Sequence, residues 1–309
     1  MGYSELGSRE ILGRIALTLE ETARPAWLDQ TAMYVSTDQE TETYKWLSSL
    51  PAMREFIGGR NANRLDVQEL VIRNKKYEAT LEVGVDELRR AKIPAIQTRI
   101  QELATRASQH YAKLITEEIE AGTSTVAYDG QFFFDTDHSE VDSGTQSNLL
   151  SIDIASPSAP TAAENESMIF DVLENFMSLK DAGGEPLNSE MSSLLFMVPV
   201  NMFGSMNAAL NSQTITDGSG TRTNAALNTG FQIDLVVNPR LSANDALYAF
   251  RTDSSLKPFI VQEEVTPQLS SLAEGSDLEF NSQVHHYGVE KICGVGSALW
   301  QMATKVQYT

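Results

Sequence analysis

Asp135, Asp137 and His138 crowd one short stretch, and carboxylate and imidazole are common metal ligands. A coordination sphere needs ligands from more than one segment, and no second cluster has matching spacing. The alternative is a structural loop. Phe132–Phe134 would anchor it, while the Asp, Thr and His side chains satisfy backbone groups. His285-His286 falls in an expected strand, where neighbouring side chains face opposite sides, so one is expected buried and the other exposed. Gly294-Val-Gly296 is a fragment of a nucleotide-binding fingerprint without its strand–turn–helix setting. Cys293 lies in an apolar stretch and reads as a small core residue. There is no P-loop, no Gly-x-Ser-x-Gly elbow and no zinc-protease helix. Nothing here supports catalysis, and no cofactor is implied.

The elements that carry these residues centre on one long helix. Ile96, Ile100, Leu103, Ala107, Tyr111, Leu114, Ile115 and Ile119 recur at steps of three and four, which places them on one helical face. Pro94 suits a first turn and Gly122 a stop. The expected helix, residues 93–121, runs roughly 40 Å at 1.5 Å per residue. An amphipathic helix with Ile11, Ile15 and Leu19 on one face precedes it, with Ser8 as cap. Residues 23–50 show weak periodicity and two tryptophans, Trp27 and Trp46, and read as an extended arm that docks elsewhere. Val67–Arg73 reads as a strand, Asn74-Lys75 as a turn and Lys76–Val83 as a second strand. In that second strand Tyr77, Ala79, Leu81 and Val83 alternate with Lys76, Glu78, Thr80 and Glu82. The pair makes a ribbon over residues 56–90. A two-stranded ribbon is marginal alone, so it needs another surface.

Further on, residues 161–181 read as a second amphipathic helix. Leu194–Val200 reads as a buried strand, Met202–Leu210 as a helix and residues 211–228 as a surface loop. Strands are expected at Phe231–Val237, Leu247–Phe250, Phe259–Thr266, Leu278–Val289 and Leu299–Val306.

The chain has 309 residues, a hydrophobic content of 41% and a formal net charge of −19. That is enough for a sizeable core, and the acidic balance disfavours binding to a nucleic-acid backbone. A lone cysteine excludes an internal disulfide. No run is long and apolar enough to span a bilayer, and the N-terminus does not read as a signal peptide, so a soluble protein in a reducing compartment is expected.

Arm, ribbon, long helix and a following mixed region resemble the Hong Kong 97-like fold of tailed-phage major capsid proteins, an α+β architecture. Trp46, Phe56-Ile-Gly-Gly-Arg60, Asn74-Lys-Lys-Tyr-Glu78 and Tyr128-Asp-Gly-Gln-Phe-Phe-Phe-Asp-Thr-Asp-His138 resemble the Mu-like major head subunit family. That family usually continues with Pro-Val-type residues, where Ser139-Glu-Val stands here.

The resemblance implies an N-terminal arm at residues 1–53 and an E-loop at 54–92 lying over the adjacent subunit. It implies a peripheral domain at 93–127 and 255–290, with the spine helix and a long hairpin whose tip is Ala273–Asp277. It implies an axial domain at 128–254 and 291–309. The function implied is a phage or prophage major capsid protein, located in the virion and assembled in the bacterial cytoplasm. Such a protein self-assembles into the hexamers and pentamers of an icosahedral shell around double-stranded DNA. Implied partners are further copies, a scaffold or protease, a portal and decoration proteins, with no specific DNA binding and no membrane. The expected inter-subunit contact uses Tyr77, Leu81 and Val83 as its apolar face, with Arg73, Lys75 and Lys76 adding charge pairs. The rivals are an encapsulin-type compartment of the same fold and a hydrolase or metal protein using Asp135, Asp137 and His138.

Overall fold

The computed structural model describes residues 8–21, 24–44, 70–89 and 93–309. Trp46, the Phe56–Arg60 motif and the start of the expected strand at Val67 lie outside them. The chain opens with α1 (Ser8–Glu21), α2 (Ala26–Thr31), β1 (Ala32–Ser36) and β2 (Thr41–Tyr44). Next come β3 (Leu70–Arg73), β4 (Lys75–Gly84), α3 (Val85–Arg89), α4 (Ile93–Ser108) and α5 (His110–Ala121). Short strands β5 (His138–Ser139) and β6 (Thr145–Gln146) precede β7 (Leu149–Ile152) and α6 (Ala162–Ser178). Then follow β8 (Ser193–Val198), α7 (Phe203–Asn211), β9 (Thr214–Asp217), β10 (Gly220–Thr223), β11 (Gln232–Val237) and β12 (Ala246–Arg251). The chain closes with β13 (Phe259–Leu272), α8 (Asp277–Ser282), β14 (Val284–Ser297) and β15 (Ala303–Tyr308).

The expected long helix is two segments, α4 and α5, interrupted at Gln109. Backbone bonds from Gln109 N to Thr105 O and from Lys113 N to Gln109 O carry it across the break. Its apolar residues divide between two cores. Ile96, Ile100 and Leu103 join Ile11 and Ile15 of α1, Val83 of β4, and Tyr287 and Val289 of β14. Tyr111, Ile115 and Ile119 join the larger core shared with β8, β12 and β15. Gly122 ends α5 with a negative φ, so it is not there for a left-handed turn. A Cβ at that position would sit 2.5 Å from Cδ2 of Phe134, so the glycine makes room for that ring.

Two sheets organise the rest. One has the order β1-β13-β14-β4, the other β11-β8-β12-β15-β7. Leu194–Val198 are all buried in the middle of the second sheet, which explains the continuous apolar run in place of an alternating one. Beside it, α6 is held by a capping box: Glu164 N donates to Thr161 Oγ1 at 3.2 Å, and Thr161 N donates to Glu164 Oε2 at 2.6 Å.

The structure corrects four expectations. First, residues 24–44 do not form an arm reaching elsewhere: Trp27 and Leu28 are buried, and β1 runs parallel to β13 with Ala32 opposite Phe259. Second, β3 and β4 do not pair with each other; β3 pairs with β2 and β4 pairs with β14. Third, Asp277–Ser282 is helical, so the last long strand begins at Val284 rather than at Leu278. Ser276 caps that helix and turns the chain. Fourth, the expected surface loop at 211–228 contains the β9–β10 hairpin, tied to α6 by an ion pair between Arg222 and the buried Glu166.

Candidate assembly surface

The stretch around His138 folds inward rather than into an open site. Asp129 lies at a turn completed by Gly130 at φ +87°, and the carboxylate reaches back to the ring. His138 Nδ1 lies 2.6 Å from Asp129 Oδ2 and its Nε2 lies 3.2 Å from Asn148 Oδ1. The imidazole stacks on Trp300, with ring centroids 3.9 Å apart and planes within 5°. Asn148 donates to the carbonyls of Phe133 and Trp300, so one amide ties this loop to the segment before β15. A second group adjoins it. Tyr128 OH donates to Glu140, and Gln301 Nε2 donates to both at 2.8 Å. Burial pushes the Glu140 carboxyl above the usual range, and it pushes the Tyr128 phenol up strongly.

Asp135 and Asp137 approach each other at the surface, but they do not join His138 in a metal site. Asp135 accepts the backbone N–H of Thr136 at 2.7 Å, Asp137 is exposed, and His138 has both ring nitrogens occupied. Among the described residues no group of three or more His, Cys, Asp or Glu side chains could hold a metal ion. Sequence reasoning missed Asp129, Asn148, Trp300 and Gln301. Asp129 stood inside the quoted motif, and its Asp-Gly pair was the only local signal.

His285 is buried, while His286 faces outward with Nε2 at 3.0 Å from Glu82. Cys293 is a fully buried free thiol in the core. Gly294 and Gly296 serve packing. A Cβ would lie 2.8 Å from Ile72 Cγ2 at Gly294, and 2.8 Å from Ile72 Cδ1 at Gly296. Those glycines let β3 cross close over β14.

The six expected contact residues divide sharply. Val83 is fully buried in the core between α1, α4 and β14, and Leu81 packs against the same core. Tyr77 packs on the larger core, with its ring edge-on to His110 at 4.4 Å. The apolar face expected to meet a neighbour is therefore covered from within, because β4 pairs along β14 with Tyr77 opposite Lys291 and Val83 opposite His285. Arg73, Lys75 and Lys76 are exposed. Arg73 pairs with Glu40 and Lys76 with Glu290, each at 2.8 Å. Exposed pairs of this kind contribute about 0–1 kcal/mol and can exchange partners. Large apolar side chains also face solvent, among them Val71 beside Arg73, Phe132, Val200, Phe203 and, most exposed, Phe280. Together these outward groups offer binding surface, not a reaction centre.

Comparison with known proteins agrees with that reading. The family described as Mu-like prophage major head subunit gpT matches residues 18–162 and 228–309, which hold the whole first sheet and every strand of the second except β8. The Mu-like prophage FluMu major head subunit of Haemophilus influenzae is 24% identical over 284 residues, covering 92% of this chain and 67% of the relative. The procapsid of bacteriophage JBD30 matches in structure at TM-score 0.55 and 22% identity, covering 96% of this chain and 73% of that one. The capsid of cyanophage P-SCSP1u matches at TM-score 0.59 and 13% identity, covering 93% and 90%. The chain therefore belongs to the Mu-like prophage major head subunit family: it has the Hong Kong 97-like α+β fold and is a major capsid protein, a structural component of the phage head and not an enzyme.

Proposed function

We propose that this chain closes head-to-tail into hexamers and pentamers of an icosahedral shell that encloses double-stranded DNA. The observation that supports this most is the family match, which takes in the first sheet and every strand of the second except β8. A heterologous contact that closes on itself makes rings, and many modest contacts in a closed shell add up by avidity. In this reading residues 1–53 are the N-terminal arm, whose described part at 24–44 docks on its own subunit, and 54–92 the E-loop, whose β4 pairs with β14 of the same subunit. Residues 93–127 with 255–290 form the peripheral domain, and 128–254 with 291–309 the axial domain. The E-loop crosses the adjacent subunit and contacts it through Arg73, Lys75 and Lys76, with Val71 as the apolar neighbour. These cations meet an acidic background, since the net charge is −19. The same charge keeps packaged DNA from adhering to the wall. A scaffold or protease, a portal and decoration proteins complete the head.

Sedimentation of the purified full chain tests the proposal. Capsomers, shells or tubes are expected. A monodisperse monomer at high concentration would overturn it.

A further inference from the structure

The loop that joins β5 to β6 carries strain that the subunit by itself does not explain. Val141 sits there at φ +26°, outside the conformations that a β-branched side chain readily takes. Among the described residues the other positive-φ positions are glycines, apart from Gln283, which is unbranched. The backbone around Val141 is held from both sides. Glu140 is buried, and its carboxylate accepts from Tyr128 OH and from Gln301 Nε2, the latter at 2.8 Å. Glu140 N donates to Ser143 Oγ at 2.9 Å, and Ser143 N donates back to Glu140 O at 2.7 Å. Asp142 N donates to Ala182 O at 3.1 Å. These bonds fix the turn but not the residue type at its tip. Glycine would adopt that φ without a steric penalty. The tip instead carries an isopropyl group that is 76% exposed and packs on little of its own chain.

We propose that Val141 is an inter-subunit contact: the locked turn presents its side chain to a neighbouring copy, which buries it when the shell closes. Strained residues collect where function requires them. Within the subunit nothing requires valine at this tip, so the requirement lies on a partner. Size chooses that partner. One aliphatic side chain covers a small part of the about 1,600 Å² that a standard independent complex buries. A freely diffusing protein would not be held by it. A second copy, already placed by the other shell contacts, would be. Charge narrows the choice further: Asp142 beside the tip and the net charge of −19 disfavour nucleic acid and anionic lipid. Because the turn is fixed before contact, burying the side chain loses little conformational freedom. The inference rests on the shell-forming function proposed above.

The test uses the full chain, whose single native cysteine, Cys293, is buried, so that wild-type chain supplies the labelling background. Val141→Cys subunits are co-assembled with excess wild-type chain. Their reaction with N-ethylmaleimide is compared with that of the same subunits kept dilute and unassembled. A labelling rate at least tenfold lower in the shells is expected. Equal rates in shells and free subunits would overturn the proposal while leaving the capsid function standing. In parallel, Val141→Gly releases the strain and removes the contact. It is expected to melt at a higher temperature than wild type, because the relief exceeds the chain entropy that glycine adds. It is also expected to need at least tenfold more protein to assemble. A Val141→Gly chain that assembles at the wild-type concentration would overturn the contact, and one that melts no higher would remove the strain on which the proposal stands. Absence of any wild-type assembly would overturn both this inference and the shell-forming function.

Discussion

His138 Nδ1 lies 2.6 Å from Asp129 Oδ2, and both side chains are fully buried. Their contact locks the loop after α5 onto Trp300 and so joins the two ends of the second half of the chain. Removing one partner leaves the other buried without its bond, which costs about 3–5 kcal/mol when the group is charged. Asp129→Ala and His138→Ala are each expected to lower subunit stability by about that amount in urea denaturation. Exposed Asp137→Ala should stay within about 0.5 kcal/mol of wild type. Equal effects at 129 and 137 would contradict the assignment.

A second prediction concerns the crossing of β3 over β14. Gly296→Ala should drive Ile72 away and loosen the β2–β3 pair, exposing the adjoining chain to protease. Because only Ile72 atoms crowd that position, Ile72→Ala in the same chain should restore protease resistance. At Gly294 the backbone oxygen of Arg73 also lies 2.9 Å from the new Cβ, so Ile72→Ala should fail to rescue Gly294→Ala. Equal rescue at both glycines would show that the close crossing is not what selects them.

Much of this was legible in the sequence, and the failures have physical reasons. The three-and-four spacing of the long helix and the alternation of β4 are local patterns, and local patterns report local structure. The partner of a strand is not local. Ala32 pairs with Phe259 and Tyr77 with Lys291, and nothing within β1 or β4 encodes those choices. The apolar face of β4 was visible; that α1 and α4 would cover it was not. Leu278 and Phe280 suggested a strand because a six-residue helix is too short for its period to show, and only the Ser276 cap marked it. Asp129 was hidden because a turn brings it back to His138.

Lys291 yields a pH prediction. It is buried, its ammonium has no hydrogen-bond partner and sits 3.3 Å from the Tyr111 ring centroid, and burial lowers its pKa to about 8. The unfolded chain holds that proton up to about 10.4. Between those values the unfolded state binds more protons, so stability should rise with pH from about 8 to about 10. Lys291→Met should be at least as stable as wild type at pH 7 and lack this part of the rise in a thermal-melt series. An identical pH slope in both proteins would contradict it.

The ribbon residues separate fold from assembly. Val83→Asp places a charge in the core shared by α1, α4 and β14 and should cost several kcal/mol, seen as loss of helical circular dichroism on mild heating. A double Lys75→Glu and Lys76→Glu chain should keep a near-normal spectrum and melt while assembling at least tenfold more weakly by sedimentation. Wild-type assembly of the double variant would remove these lysines from the contact.

The most direct test of the central claim is negative-stain electron microscopy of the purified full chain, concentrated at neutral pH. Shell formation predicts closed icosahedral particles or sheets of hexameric and pentameric rings. A field of single subunits, from protein that remains folded by circular dichroism, would contradict it.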